Sequence, residues 1–203
     1  MKKIIFALII VTIAAIGGYL FFKQPKDFAA GLELALAGDS DGAARIWEPL
    51  AAAGDAEAQK SLGLAYYFGD GVVKDRTRAA ELYTASAAQG HTGAQYLLAG
   101  MNRAGIAMEV NFEKAAELYS LTAAKGNADS QFFLGDLNTQ GQIDGADPVI
   151  GLMWFLTALE NGQKGWVQNY IDEAKAGLTE AQISEAKLLS GNCLMSNYQQ
   201  CGR

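Results

Sequence analysis

Ser40 lies in a stretch that matches the motif of a catalytic nucleophile. Residues 38–42 read Gly-Asp-Ser-Asp-Gly, the G-x-S-x-G pattern of serine hydrolases. That motif needs a strand before the serine, because a strained strand-to-helix turn exposes the hydroxyl group. Residues 32–37 read Leu-Glu-Leu-Ala-Leu-Ala, which favours a helix, and His91 is the only histidine available as a base. We therefore predict an inter-helix turn capped by Ser40 or Asp41, and a hydrolase is only an alternative.

Metal, phosphate and nucleic-acid chemistry find little support in the residues. The sequence has no cluster of Cys and His at metal-ligand spacing, and Gly69-Asp70-Gly71 lacks the Gly-Lys-Ser/Thr of a phosphate loop. Four of the 16 basic residues, and none of the 22 acidic ones, lie in residues 1–26, so residues 27–203 have a formal charge of −10. An acidic body repels phosphate. We expect no metal, no cofactor and no nucleic-acid partner.

The amino terminus reads as a membrane segment. Lys2 and Lys3 precede an uncharged apolar run over residues 4–22, which is long enough to cross the hydrocarbon core as a helix. We predict a retained anchor over residues 1–26, in the bacterial inner membrane, with the rest of the chain in the periplasm. A cleaved signal peptide, with a cleavage site near residues 15–17, is the alternative.

Cys193 and Cys201 are the only cysteines, and both lie in the last eleven residues. A pair far from any histidine suits a disulfide in an oxidising compartment, and two reduced thiols are the alternative. The pair therefore favours, weakly, a periplasmic location.

A period of 36 residues runs through the middle of the chain. Glycines recur in this register, and so do Gln, Leu and small residues in separate columns. The glycine column comprises Gly54, Gly90, Gly126 and Gly162. Each unit reads as two helices, the first over about 56–68 and the second following Asp75 and ending at Gly90. A single helix pair cannot bury its apolar face alone, but a stack of pairs can.

Helix-capping residues also recur in register. One column holds Asp55, His91 and Asn127, and the other holds Asp75, Asn111 and Asp147. We predict an all-α chain with five parts. These are an anchor or signal (1–26), a shortened capping pair (27–54), three repeats (55–162), capping helices that end near Ser190 at Gly191 (163–192), and a cysteine-containing tail (193–203).

The repeat pattern resembles the Sel1-like repeat, a relative of the tetratricopeptide repeat. The first repeat carries Leu62-Gly63-x-x-Tyr66-x-x-Gly69-x-Gly71, then Arg78-Ala79-x-x-Leu82-Tyr83 and Ala87-Ala88-x-Gly90. The resemblance implies a right-handed superhelical solenoid of αα-hairpins and an adaptor or scaffold role, often in the bacterial envelope. Some periplasmic members are immunity proteins against secreted toxins. Other members, with cysteines within each repeat, are linked to β-lactam binding, but the three full repeats here contain no cysteine.

One set of first-helix positions varies from repeat to repeat while the packing columns stay constant. In a stacked solenoid such positions tend to line the concave face. They are Lys60, Leu64 and Tyr67, then Tyr96, Gly100 and Arg103, then Phe132, Asp136 and Thr139. We predict that Tyr67, Tyr96, Arg103 and Phe132 contact a protein partner, with Lys60, Leu64 and Asp136 as further candidates. The alternative is that the aromatic members pack between repeats.

Overall fold

The computed structural model describes residues 27–163 and 165–201, which form ten α-helices and no strand. The helices are α1 (Phe28–Leu36), α2 (Ser40–Ala52), α3 (Ala56–Phe68), α4 (Arg76–Ala88), α5 (Thr92–Ala104), α6 (Phe112–Ala123), α7 (Ala128–Thr139), α8 (Pro148–Glu160), α9 (Val167–Ala176) and α10 (Glu180–Met195). Within residues 27–163 each helix packs on the next one along the chain, both within and between hairpins, while α9 and α10 both pack on α8. The chain is therefore an all-α solenoid of helical hairpins closed by two extra helices.

The predicted caps begin the six helices of the three full repeats. Asp55, His91 and Asn127 each accept a hydrogen bond from the backbone N–H three residues later, at the starts of α3, α5 and α7. Asp75, Asn111 and Asp147 cap α4, α6 and α8. The predicted cap of α2 was wrong by one residue. Asp39 accepts the Gly42 N–H, and Ser40 is already the first helical residue.

Small residues on the first helices make room for aromatic rings on the second helices. A Cβ at Gly63 would lie 2.6 Å from the Tyr83 ring, and one at Gly135 would lie 2.5 Å from the Phe155 ring. Gly31 and Trp47 make the same contact in α1 and α2, although only three residues, rather than seven, separate those helices. The capping pair is therefore a repeat that has lost four turn residues but kept its packing.

Buried glutamines join each hairpin to the one before it. Gln59, Gln95 and Gln131 donate side-chain hydrogen bonds to the carbonyl oxygens of Ala51, Ala87 and Ala123, at 3.1, 3.4 and 3.1 Å. Each of these carbonyls lies in the last turn of the preceding helix and also accepts the N–H of the glycine that follows that helix. The glutamine column therefore supports the stacking of successive repeats.

The carboxyl end differs from the prediction in one respect. Thr179 and Gln182 form the predicted capping box, but α10 continues past Gly191 to Met195. A helical glycine costs only about 1 kcal/mol relative to alanine. The extra turn places Cys193, which has no exposed surface, in the core. Cys193 is therefore a helix residue rather than part of a tail, and it forms a disulfide with Cys201.

The disulfide holds a short segment against the third repeat. The Tyr198 hydroxyl donates to Asn161 Oδ1 at 2.7 Å, and Asn161 donates to Gln131 Oε1, also at 2.7 Å. The segment after α10 thus connects to the glutamine that joins the last two hairpins.

The predicted membrane segment, residues 4–22, lies outside the described residues. Among residues 27–163 and 165–201, no helix is both long enough and apolar enough to cross a membrane.

Candidate functional site

The predicted partner-binding positions lie on the first helices of the three repeats. Eight of the nine first-helix positions are partly exposed, and we call the surface that they share the first-helix face. It consists of Lys60, Leu64 and Tyr67 on α3, Tyr96, Gly100 and Arg103 on α5, and Asp136 and Thr139 on α7.

Phe132 does not belong to this open surface. Its side chain is only 6% exposed, and its ring lies 4.4 Å from the Trp166 ring and 4.9 Å from the Tyr170 ring, centroid to centroid. Tyr170 lies on α9 and Trp166 directly precedes it, so the C-terminal capping helix covers α7 at this point. For Phe132, the structure matches the alternative of packing within the array.

Arg103 is the centre of a half-buried cluster between the second and third repeats. Its guanidinium lies 4.4 Å above the Phe133 ring and 3.7 Å from an Asp136 carboxylate oxygen. The Phe133 ring stacks on Tyr119 at 5.0 Å, and Tyr96 lies 6.0 Å from the same tyrosine. The cluster therefore presents two partly exposed aromatic rings, Tyr96 and Phe133, and one ion pair at the surface.

Burial controls the ionisation of this cluster. It raises the pKa of Tyr119 to about 12, although the Arg103 charge and a hydrogen bond between Arg103 and the hydroxyl act in the opposite direction. Burial also raises the pKa of Asp136, and Arg103 opposes this rise. Arg103 is thus the group that offsets the cost of burying both neighbours.

A cavity of about 270 Å³ opens between α3, α4 and α5. Leu64, Tyr67, Leu97 and Gly100 form part of its wall, together with Tyr83. Tyr83 is 1% exposed, and its buried hydroxyl group has no hydrogen-bond partner among the described residues. Burial raises the pKa of Tyr83, so the hydroxyl is protonated and can donate at neutral pH.

A second cavity, of about 350 Å³, lies on the other side of Leu64. Its wall includes Trp47 of the capping pair, Lys60 and Ser61 of α3, and Ser40. Because Leu64 lines both cavities, the two concavities adjoin along α3. The first-helix face is therefore indented at its amino-terminal end.

The residues considered for hydrolysis have structural roles. Ser40 follows helix α1 and a short turn, so the strand-turn-helix elbow of the nucleophile motif is absent there. His91 Nδ1 accepts the Ala94 N–H at 3.1 Å, and its Nε2 lies 2.8 Å from Glu57 Oε1. Both ring nitrogens are therefore engaged at the start of α5. Across the described part of the chain, no group of three or more His, Cys, Asp or Glu could hold a metal ion.

The family follows from a match over more than half of the chain. The Sel1 repeat model matches residues 56–91, 92–127 and 128–163, which are α3 to α8 with their turns. The chain belongs to the Sel1 repeat family. The resemblance seen in the sequence is confirmed, and the matched units agree with the predicted repeats to within one residue.

Two solved structures share this Sel1 architecture. A Sel1 repeat protein from Oxalobacter formigenes is 26% identical, with a TM-score of 0.62, over 68% of this chain and 55% of that one. A protective antigen of uropathogenic Escherichia coli strains, which displays an SLR fold, is 21% identical, with a TM-score of 0.56, over 79% of this chain and 41% of that one. This chain therefore spans about half the length of these proteins. No curated protein matches it.

The variation between Sel1 repeats indicated the first-helix face but missed two residues beside it. Phe133 and Leu97 occupy a neighbouring column that the prediction did not consider. The signal was present in the sequence, because residues 61, 97 and 133 read Ser, Leu and Phe in one register.

Proposed function

We propose that this Sel1 repeat protein is an adaptor of the bacterial cell envelope that binds a protein partner on its first-helix face. Sel1 repeats generally mediate protein–protein interactions. In the proposed arrangement the hairpins form a right-handed superhelix, and the first helices line its concave side.

The observation that carries the proposal is the composition of the first-helix face. It combines partly exposed Tyr67 and Tyr96 with the Arg103 cluster and two adjoining cavities. Tyrosine and arginine are enriched among residues that dominate binding energy, and indentations accept the anchoring side chains of a partner. The face therefore has both anchors and receptor sites for a partner.

The location in the envelope rests on one sequence feature and one structural feature. The apolar run over residues 4–22 supports a single-pass anchor with the repeats in the periplasm. The pairing of Cys193 with Cys201 supports an oxidising compartment.

Affinity capture from an envelope extract tests the proposal. The bait is the full chain made in an oxidising compartment, and the test variant is Lys60→Glu with Tyr67→Ala. A matched control, Lys187→Glu with Leu188→Ala, makes the same kinds of change on exposed residues of α10. We expect a partner that the test variant loses and the control retains.

Equal capture by both variants would show that the partner binds elsewhere, and no specific partner from a folded bait would overturn the adaptor proposal. A single captured partner that is a secreted toxin would instead favour an immunity protein.

A further inference from the structure

The cavity between α3, α4 and α5 contains a donor group without an acceptor. Tyr83 is buried, and its hydroxyl group is one of the few buried polar side-chain atoms without a partner among the described residues. A buried polar group without a hydrogen bond destabilises a protein, and native structures contain few of them. The hydroxyl group therefore points to an acceptor that another molecule supplies.

The equivalent tyrosine in the next repeat has a different environment. Tyr119, 36 residues later, interacts with Arg103 through its hydroxyl group. The residue that corresponds to Arg103 in the preceding repeat is Tyr67, which lines the cavity rather than bonding Tyr83. A tyrosine hydroxyl group without a partner is thus specific to the first of the two interfaces, although at the second Arg103 Nε is also buried without a hydrogen bond among the described residues.

The space is also specific to that interface, because two further side chains beside the tyrosine differ. Position 97 is Leu where position 133 is Phe, and position 100 is Gly where position 136 is Asp. A Cβ at Gly100 would meet only the Tyr119 hydroxyl, at 3.7 Å, which is ordinary van der Waals contact. Because Leu97 and Gly100 are smaller than Phe133 and Asp136, the cavity beside Tyr83 stays open.

The size and wall of the cavity indicate the kind of occupant. Pockets for drug-sized ligands measure roughly 300–1,000 Å³, and about 270 Å³ lies below that range. The wall is formed mainly by Leu64, Leu97, Met101 and Ile106 with the rings of Tyr67 and Phe68. These dimensions suit one large apolar side chain rather than a whole small molecule.

The charge near the cavity indicates what flanks that side chain. The Arg76 guanidinium lies 5.2 Å from the centre of the Tyr67 ring, and no carboxylate of the described residues lies within ion-pair distance of it. Arg76 is thus a positive charge on an otherwise acidic chain, since residues 27–203 have a formal charge of −10. A partner with a carboxylate beside its apolar anchor would be complementary to this site.

We propose that this cavity, which we call the Tyr83 cavity, binds a large apolar side chain of an extended partner peptide, with an adjacent Asp or Glu paired to Arg76. An oxygen of the peptide main chain beside the anchor accepts the hydrogen bond from the Tyr83 hydroxyl. The inference rests on the proposed function, since it names the chemistry of the segment that the first-helix face recognises.

Three substitutions test separate parts of the proposal. Gly100→Leu fills the cavity with the residue that the preceding repeat carries at position 64, so the helix should tolerate it. Tyr83→Phe removes only the hydroxyl group, and Arg76→Gln removes only the charge. Tyr119→Phe is the matched control, because it removes the equivalent hydroxyl group from the other interface.

The probe is a displayed library of random 12-residue peptides, selected on the full chain in lipid nanodiscs. We expect selected peptides in which a large apolar residue lies within two positions of Asp or Glu. Their affinity should fall by at least about tenfold with Gly100→Leu, about three- to tenfold with Tyr83→Phe and about two- to fivefold with Arg76→Gln. Tyr119→Phe should leave the affinity unchanged, and circular dichroism should show that every variant is folded.

Peptides that bind the folded Gly100→Leu variant with unchanged affinity would overturn the proposal, and so would a failure to select any peptide. Neither result would remove the adaptor function, because capture of a partner that depends on Lys60 and Tyr67 tests that function independently.

Discussion

The two interfaces between the three repeats have the same arrangement of helices, but one contains an open cavity and the other is filled by side chains. At the first interface, Tyr83 faces a cavity bounded by Leu97 and Gly100. At the second, the equivalent Tyr119 stacks on Phe133, and Arg103 pairs with Asp136. The side chains around the conserved tyrosine therefore differ between the open and the filled junction.

Within the repeated unit, some columns of residues stabilise the fold and others determine the binding surface. The glutamine column is the same at both interfaces, and small residues recur within the hairpins, so both columns hold the array together wherever they occur. The variable columns are free to differ, and they place an ion pair at one junction and a cavity at the next. Substitutions at equivalent positions should thus have unequal effects.

The largest loss of stability should come from removing the Arg103 side chain at the centre of the filled interface. Arg103→Ala leaves Asp136 without its cation and removes the contact with the Phe133 ring. Breaking a fully buried ion pair costs about 3–5 kcal/mol, and the partial exposure of Arg103 reduces this to about 2–3 kcal/mol. Urea denaturation measures the loss. Arg78→Ala, which breaks an exposed pair with Glu81, should cost less than about 0.5 kcal/mol. Equal losses would mean that the cluster does not stabilise the interface.

Alanine substitutions at two glycines on neighbouring first helices should change the stability of the fold in opposite directions. Gly63→Ala forces a Cβ to within 2.6 Å of the Tyr83 ring, and overpacking should outweigh the gain in helix propensity by about 1–2 kcal/mol. Gly100→Ala adds its Cβ beside the open cavity and should stabilise the fold by about 0.5–1 kcal/mol. Thermal unfolding of both variants gives the comparison. A destabilised Gly100→Ala variant would show that the cavity is not free space.

The two tyrosines provide a smaller test of the same contrast. Tyr119→Phe removes a hydroxyl group that interacts with Arg103, so it should cost about 1 kcal/mol. Tyr83→Phe removes a buried hydroxyl group without a partner, so the free protein should keep its stability or gain up to about 1 kcal/mol. Urea denaturation in the absence of any peptide measures both. An equal loss of unfolding free energy in Tyr83→Phe and Tyr119→Phe would contradict this contrast.

The sequence predicted the repeated parts of the fold because their causes are local. Cap residues such as Asp55 and Asn127 recur in register, and each forms its hydrogen bond within its own helix. The features that it did not predict depend on which helix covers which. Phe132 is buried because α9 lies over it, and α10 passes Gly191 because the next turn places Cys193 in the core. Neither contact has a signal in the 36-residue period.

On the first-helix face, too, the sequence predicted the local features but not those that depend on packing between helices. Variation between repeats indicated the correct helices and eight positions that are partly exposed. It did not indicate the cavity, because the space beside Tyr83 depends on the combined sizes of residues 97 and 100 on a helix from the next repeat. A column-by-column comparison of side-chain volume would have found it.

The smallest effect concerns the pH dependence of the filled interface. Burial raises the pKa of Asp136 above 3.8 despite the Arg103 charge. A raised folded-state pKa gives stability that is complete below the unfolded pKa and is lost as the pH rises through the folded one. Asp136→Asn has no such proton to lose, so its stability relative to the wild type should increase between about pH 3.5 and neutral pH.

Glu57→Gln is the control of opposite sign for this measurement. A hydrogen bond from His91 lowers the pKa of Glu57 in the folded state. The stability that this bond provides is present above the unfolded pKa and is lost as the pH falls, so Glu57→Gln should weaken relative to the wild type as the pH rises. Urea denaturation at a series of pH values gives both slopes. Slopes of the same sign would show that desolvation does not dominate at Asp136, and that Arg103 compensates its charge in full.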